Sequence, residues 1–330
     1  MASIPSRAEA PLLITVVGPT AIGKTSLSIR IAQAIGAEIL SSDSRQFYRE
    51  IPIGTAQPTQ DERASAPHHF IDFLSVTDDY SSGRFETEAV AWLSDHFAAR
   101  KQSGLPQIAV MAGGSGLYVQ AVHSGLDAMP SDEMVRNALN AIYASEGLAP
   151  LLAELKRLDP KHHEKVDLSN PHRVIRALEV CRCSGQPYSE FRKSQENLKT
   201  IHLGGWGRHI RRPWDTLTLG IGSPREYLHD RINRRTHVML EQGWLREAEA
   251  VMAHRNCNAL KTVGYPQLFD VLEGHTDMDT AIRKIQEATR QFARRQLTWF
   301  HRQQDVHWID ARRLDDGLSL VQQFIQHGHV

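Results

Sequence analysis

The hydrophobic pattern changes period several times along the chain, and each change marks an element. Leu12-Leu13-Ile14-Thr15-Val16-Val17 lacks polar alternation, which predicts a strand buried on both faces of a parallel sheet. Leu27, Ile31 and Ala34 then recur at helical spacing, and Gly36 supplies the stop. Short runs at Glu38–Leu40 and Pro67–Asp72, and longer ones at Gln107–Met111, Leu217–Ile221 and Val306–Ile309, read as further strands. Helical periodicity lies between them, over Phe85–Arg100 and on a stripe of Leu228, Ile232 and Met239. Strands alternating with helices predict an α/β fold with a parallel sheet.

Between about Ala128 and Phe191 the strand signals fade. Asn170-Pro171 is a helix start, Gly185 and Pro187 a stop, and Val174, Leu178 and Cys181 form the apolar stripe between them. Arg173 and Arg176 share a neighbouring face, which is either solvated or a phosphate contact. The organisation expected is a core of residues 1–127 and 201–330, interrupted by a helical insertion or lid of residues 128–200. Ala281–Arg302 reads as a long amphipathic helix with Ile282, Ile285, Phe292 and Phe300 towards one side. Its six basic residues (283, 284, 290, 294, 295 and 302) against the single acid Glu287 leave a local charge of +5.

Composition changes this picture little. Lys and Arg number 38 and Asp and Glu 38, so no global charge announces nucleic acid, although a basic face can hide in a neutral total. Three cysteines form neither a disulfide framework nor a zinc site, which suggests a reducing compartment. No apolar run is long enough for a membrane span, and Met1–Pro11 reads as a loose start without the apolar segment of a signal.

The chemistry begins where the first strand ends. Gly18-Pro19-Thr20-Ala21-Ile22-Gly23-Lys24-Thr25 has the spacing of a phosphate-binding loop. Glycines let backbone amides turn inward around an anion, and the following helix points its positive end at the same place. Lys24 adds a charge, and the Thr25 hydroxyl is placed to ligate a magnesium ion carried on the phosphates. Asp43 follows the second strand on the same sheet edge, either as a cap or as a carboxylate facing the ligand. Hydrolytic P-loop ATPases usually place a magnesium-binding Asp after the strand that here ends in Ala112-Gly113-Gly114, which weakens an ATPase reading. Those glycines form a tight turn or permit close approach of a ligand. Arg235 occupies the inward stripe of its helix, with Arg231 one turn earlier. It is either half of an internal salt bridge or a guanidinium aimed at phosphate. Lys261–Gln267 reads as a loop.

Taken in order, the phosphate loop, Asp43-Ser44-Arg45-Gln46-Phe47-Tyr48, Ile53-Gly54-Thr55-Ala56-Gln57-Pro58, Gly113-Gly114-Ser115-Gly116-Leu117-Tyr118 and Arg290-Gln291-Phe292-Ala293-Arg294-Arg295-Gln296-Leu297-Thr298-Trp299 resemble the bacterial tRNA dimethylallyltransferases over roughly Leu12–Trp308. The resemblance implies a P-loop NTPase-like core and a helical insertion that grips the anticodon stem-loop. It implies transfer of a dimethylallyl group from dimethylallyl diphosphate to the exocyclic amine of the adenine beside the anticodon. By this resemblance Asp43 is the base, and Thr20, Lys24, Arg235 and Mg2+ at Thr25 stabilise the departing diphosphate. The tRNA contacts it implies are Asp43, Ser44, Arg45, Gln46, Ser115, Arg136, His172, Arg173, Arg176, Lys261, Gly264 and Tyr265. A cytoplasmic monomer is expected. Three departures stand out: Ser115 where Thr is usual, His172 where Gln is usual, and Pro266 where a basic residue is frequent. Adenylate isopentenyltransferase, a small-molecule kinase and a nucleotide-regulated RNA-binding module are the alternatives.

Overall fold

The computed structural model describes residues 10–126, 129–191 and 212–327. Six strands form one parallel sheet: β1 (Leu12–Val17), β2 (Ile39–Ser41), β3 (His68–His69), β4 (Ile108–Gly113), β5 (Asp215–Gly222) and β6 (Val306–Asp310), in the order β3-β2-β4-β1-β5-β6. β1 lies between β4 and β5, and its six residues are all at most 2% exposed. This is why its sequence is apolar without alternation: helices cover both faces. Each buried Leu, Ile or Val there contributes about 1.5–3 kcal/mol over an exposed one.

Register places the chemistry. Val17 pairs with Gly113 on one side and Gly220 on the other, so the loops leaving β1 and β4 start at one level of the sheet edge. In open parallel sheets that carboxyl edge is where ligands bind. The helix after β1 spans Lys24–Ile35 and ends at Gly36, whose left-handed conformation closes it.

Several expectations shift. The run at Pro67–Asp72 makes only a two-residue strand, because Phe70 and Asp72 take positive φ and turn the chain away. The segment expected as a loop at Lys261–Gln267 enters a helix, Tyr265–Leu272, with Pro266 in its first turn. Phe292, expected on the inward face of the Met278–Phe300 helix, is among the exposed large apolar residues. A further helix, Leu314–His327, was not anticipated; a Cβ at its Gly317 would sit 2.7 Å from Ile309 and 3.2 Å from Leu27, the latter in the phosphate-loop helix.

The chain divides into two compact units, one containing all six strands and the other the described residues between Leu126 and Phe191. In the second unit the helices Glu133–Glu146, Ala149–Leu158 and Pro171–Ser184 share a core of Leu139, Leu151, Leu155, Val174, Ala177 and Leu178. The domain boundaries expected at 127/128 and 200/201, and residues 1–9 of the expected loose start, lie outside the described residues. Among the described residues no helix is long and apolar enough to cross a membrane.

Candidate active site

The phosphate loop takes positive φ at Gly18 (148°), Ala21 (64°) and Gly23 (113°). Ala21 is the costly one, because an L-residue with a Cβ meets a penalty of about 1–2 kcal/mol there. Close packing explains Gly18: a Cβ would lie 2.8 Å from the Ile221 carbonyl of β5. Three side chains hold the loop. Lys24 Nζ donates to the Pro19 carbonyl (2.9 Å), Arg231 Nε to the Ala21 carbonyl (2.6 Å), and the Thr20 amide donates to Gln296 Oε1 (2.8 Å). Among the described residues the amides of Ala21, Ile22 and Gly23 donate to no protein acceptor. Inward amides at a helix N-terminus are an anion site.

Asp43 follows β2, and both readings of it hold together. Its Oδ1 accepts the Arg45 amide (3.1 Å), as a turn-forming Asp does, while its side chain lines the cavities beside the phosphate loop. The neighbours are committed to the protein. Ser44 bonds through its amide and hydroxyl to Ser115 Oγ (both 3.1 Å), Arg45 donates to the Asn258 carbonyl (2.7 Å), and Gln46 bridges Ser41 and the Ala56 carbonyl.

Two cavities open at this edge. The larger, about 880 Å³, is lined by the phosphate loop, Asp43, Pro52, Ile53 and residues 55–58, the cations Lys24, Arg49, Arg63, Arg231, Arg234 and Arg235, and the acids Glu62 and Asp72. The smaller, about 460 Å³, is lined by Asp43, Ser44, Arg45, Ser115, Lys261, Phe292 and Trp299. Thr20, Ala21, Asp43, Thr55, Arg235 and Met239 line both. Burial brings the Lys24 ammonium down to about 8, against the attraction of Asp43 and with the help of Arg235. Burial likewise lowers Arg235, again opposed by Asp43. Among the described residues Arg235 makes no ion pair, so the internal salt bridge is not what its inward position serves. Two hard-pressed cations beside unfilled amides create a strong demand for an anion.

Gln296, to which the sequence reading gave no role, completes the site. Gln296, 6% exposed, donates to the Gly114 carbonyl (2.9 Å) while accepting from Thr20. Built Cβ atoms at Gly113, Gly114 and Gly116 would lie 2.2 Å from atoms of Ser42, Gln296 and Trp299. The glycine cluster after β4 thus admits protein side chains, while Gly114 and Gly116 also line the smaller cavity, where close approach of a ligand stays open. Only the burial of a glutamine on a basic helix could have signalled this.

Tyr265 corrects an expectation. It is 0% exposed, and its hydroxyl donates to Glu247 (2.6 Å), so its ring is scaffold rather than RNA contact. Gly264 is buried beside it, a Cβ there colliding with Trp244 at 1.9 Å, whereas Lys261 stays exposed.

Arg136, His172, Arg173 and Arg176 belong to the helical unit. His172 and Arg173 are exposed on the Pro171–Ser184 helix. Arg136 and Arg176 turn to Glu179 Oε2, at 2.6 and 2.8 Å, and Arg176 also donates to the Pro130 carbonyl (3.1 Å). Burial raises the Glu179 carboxyl, but these two guanidinium groups outweigh it and hold it below the ordinary carboxylate range. Arg136 and Arg176 thus pair with a buried acid, which neither the solvated-face nor the phosphate-contact reading of Arg176 included.

The basic helix is mostly solvated. Arg290 donates to Asn233 (3.0 Å), whereas Arg294 and Arg295 are exposed, with the Arg295 guanidinium 5.8 Å from the Phe292 ring.

The IPP transferase family model matches residues 46–303. The chain belongs to the IPP transferase family. A tRNA dimethylallyltransferase from Christiangramia forsetii is 43% identical over 90% of this chain and 93% of its own length, and one from Bacteroides fragilis 41% identical over 96% and 99%. The fold is similar to the full-length tRNA isopentenylpyrophosphate transferase of Bacillus halodurans (TM-score 0.66, 30% identity, 96% of this chain and 97% of that one). It is also similar to a eukaryotic dimethylallyltransferase described as acting on tRNA (TM-score 0.75, 25% identity, 97% and 81%). Members of the IPP transferase family with solved structures thus share this P-loop NTPase-like sheet. The family match begins just past Asp43; the phosphate loop lies before it, within the span that the Bacteroides fragilis relative covers.

Proposed function

We propose that the chain transfers a dimethylallyl group from dimethylallyl diphosphate to the exocyclic amine of the adenine 3′ of the tRNA anticodon, releasing diphosphate. The observation that carries this reading is the pair of cavities sharing Thr20, Asp43 and Arg235. One has the phosphate loop and arginines for a diphosphate, the other Asp43 with an exposed aromatic and basic rim for a nucleotide. A purely ATP-hydrolysing site needs no second chamber of this kind; against a kinase, which needs an acceptor site, the support is the aromatic and basic rim together with the tRNA dimethylallyltransferase relatives.

The chemistry follows from the residues. The diphosphate seats on the amides of Ala21–Gly23 with Lys24 and Arg235, which neutralise the charge that grows as the allylic C–O bond breaks. The adenine leaves its stack, as bases that undergo chemistry must, and its amine attacks the allylic carbon. Its lone pair is delocalised into the ring, so alkylation requires loss of a proton, which Asp43 accepts. Alignment of amine, carbon and leaving oxygen supplies much of the remaining rate. The loop also fits magnesium: Thr25 lines the larger cavity and the small space beside Asp43, and one hydroxyl plus diphosphate oxygens and waters would suit this ion. When bound it neutralises leaving-group charge. The helical unit, with exposed His172 and Arg173, grips the anticodon stem-loop of tRNA, and the protein works as a cytoplasmic monomer.

Labelled dimethylallyl diphosphate offered with unmodified tRNA, AMP or ATP tests this. Label is expected in tRNA alone, at the adenine next to the anticodon; label in AMP but not tRNA overturns the reading. Asp43→Asn retains the acceptor oxygen for the Arg45 amide and loses the base. Its single-turnover rate is expected to fall at least about a hundredfold, with donor binding retained.

A further inference from the structure

Glu247 enters no step above, yet its carboxylate is the most heavily used acceptor behind the site. Oε2 accepts the Ile53 amide (2.7 Å), and Oε1 accepts the Gly54 amide (2.8 Å) and the Tyr265 hydroxyl (2.6 Å). Ile53 and Gly54 open the one-turn helix Pro52–Thr55, whose leading amides have no acceptor within so short a turn. A carboxylate nearly two hundred residues away in sequence supplies it.

The same turn is pressed from behind. A Cβ at Gly54 would stand 2.2 Å from both Trp244 Nε1 and the Tyr265 hydroxyl, and those two rings meet edge-on, centroids 6.1 Å apart. On its forward side Gln46 Nε2 donates to the Ala56 carbonyl (3.0 Å), and Gln57 Nε2 to the Tyr48 carbonyl (2.7 Å). Held between these contacts, Ile53 and Ala56 face the larger cavity and Thr55 faces both.

We propose that Glu247 is a positioning residue for the prenyl donor: by holding the Ile53 and Gly54 amides it sets where Ile53, Thr55 and Ala56 stand, and with them the width of the passage where the two cavities meet. The proposal rests on the functional reading above. An amide in place of the carboxylate turns one acceptor into a donor that faces an N–H.

Calorimetric titration of the full chain with dimethylallyl diphosphate, alongside thermal midpoints, tests it with three variants. Glu247→Gln is expected to bind the donor about tenfold more weakly. Tyr265→Phe removes one hydrogen bond but leaves both amides seated, so its midpoint falls while affinity stays within about twofold. Gly54→Ala pushes the turn forward with Glu247 intact and is expected to weaken binding as Glu247→Gln does; it carries the test if Glu247→Gln does not fold. Wild-type affinity in Glu247→Gln or in Gly54→Ala overturns the proposal. So does equal weakening in Tyr265→Phe, which would mark a general packing effect. Wild-type protein that binds no dimethylallyl diphosphate overturns the functional reading, and the proposal with it.

Discussion

Gln296 stands between Thr20 and Gly114, accepting the amide of one at 2.8 Å and donating to the carbonyl of the other at 2.9 Å. The loops after β1 and β4 are thereby held by a side chain from the other end of the chain. Gln296→Leu leaves a buried donor and a buried acceptor unpaired, each at a cost of about 1–3 kcal/mol. Denaturant unfolding is expected to show a loss of that order, together with weaker donor binding. Gln296→Glu keeps the acceptor for Thr20 and is expected to fall between. A leucine variant with wild-type stability would show that neither bond matters.

Arg235 carries the opposite expectation. It is a cation held in the cavity wall without an ion-pair partner among the described residues, and burial lowers its pKa. Arg235→Met is expected to raise the thermal midpoint while weakening pyrophosphate binding by at least about tenfold, the trade expected where a site stores an unmet charge. A midpoint below wild type would mean that Arg235 serves the fold.

In the helical unit the arginines divide. Arg173→Ala is expected to make tRNA affinity less salt-dependent, lowering the slope by about one counterion. Arg176→Ala leaves Glu179 with Arg136 and the Asp132 amide, and is expected to destabilise the unit first. Filter binding across a salt series, with hydrogen exchange of the Pro171–Ser184 helix, separates the two effects. A salt slope unchanged in Arg173→Ala would make it an ordinary solvated residue.

The Glu179 pairing also sets an acid limit. Its carboxyl lies below its ordinary value of 4.5 in the folded chain, so its stabilisation is complete above that value and is lost as pH falls through the lowered one. Exchange protection of the Pro171–Ser184 helix, corrected for intrinsic rates, is expected to hold to about pH 4.5 and then fall. Glu179→Gln should be less stable at neutral pH and lose this dependence. The same acid loss in Glu179→Gln would place its cause elsewhere.

Local pattern made the core of the fold and part of the site legible. The phosphate loop is one stretch whose glycine spacing dictates its φ values, and Asp43 could be placed because strand ends in a parallel sheet share an edge. Arg235 was visible as a charge on an apolar stripe. The rest depended on contacts between distant segments. Nothing near Gly113–Gly116 says that Ser42, Gln296 and Trp299 fill the space its glycines leave. Tyr265 looked like a loop aromatic because its partner Glu247 lies in a different helix. Phe292 fits a helical stripe by spacing, yet the helix is turned so that Ala293 and Gln296 face inward instead.

The position of β1 has a consequence for synthesis of the chain. The earliest of the six strands in the chain is the one that needs partners on both sides, β4 and β5. The whole helical unit is made between those partners, and its helices can collapse on their own core by short-range contacts. About 200 residues separate Val17 from Asp215, so at roughly 5–20 residues per second one edge of β1 waits on the order of 10–40 s for its partner. The phosphate loop waits longer, until Gln296 is added. A nascent chain of this protein therefore exposes an apolar strand well before the phosphate loop has its full set of contacts.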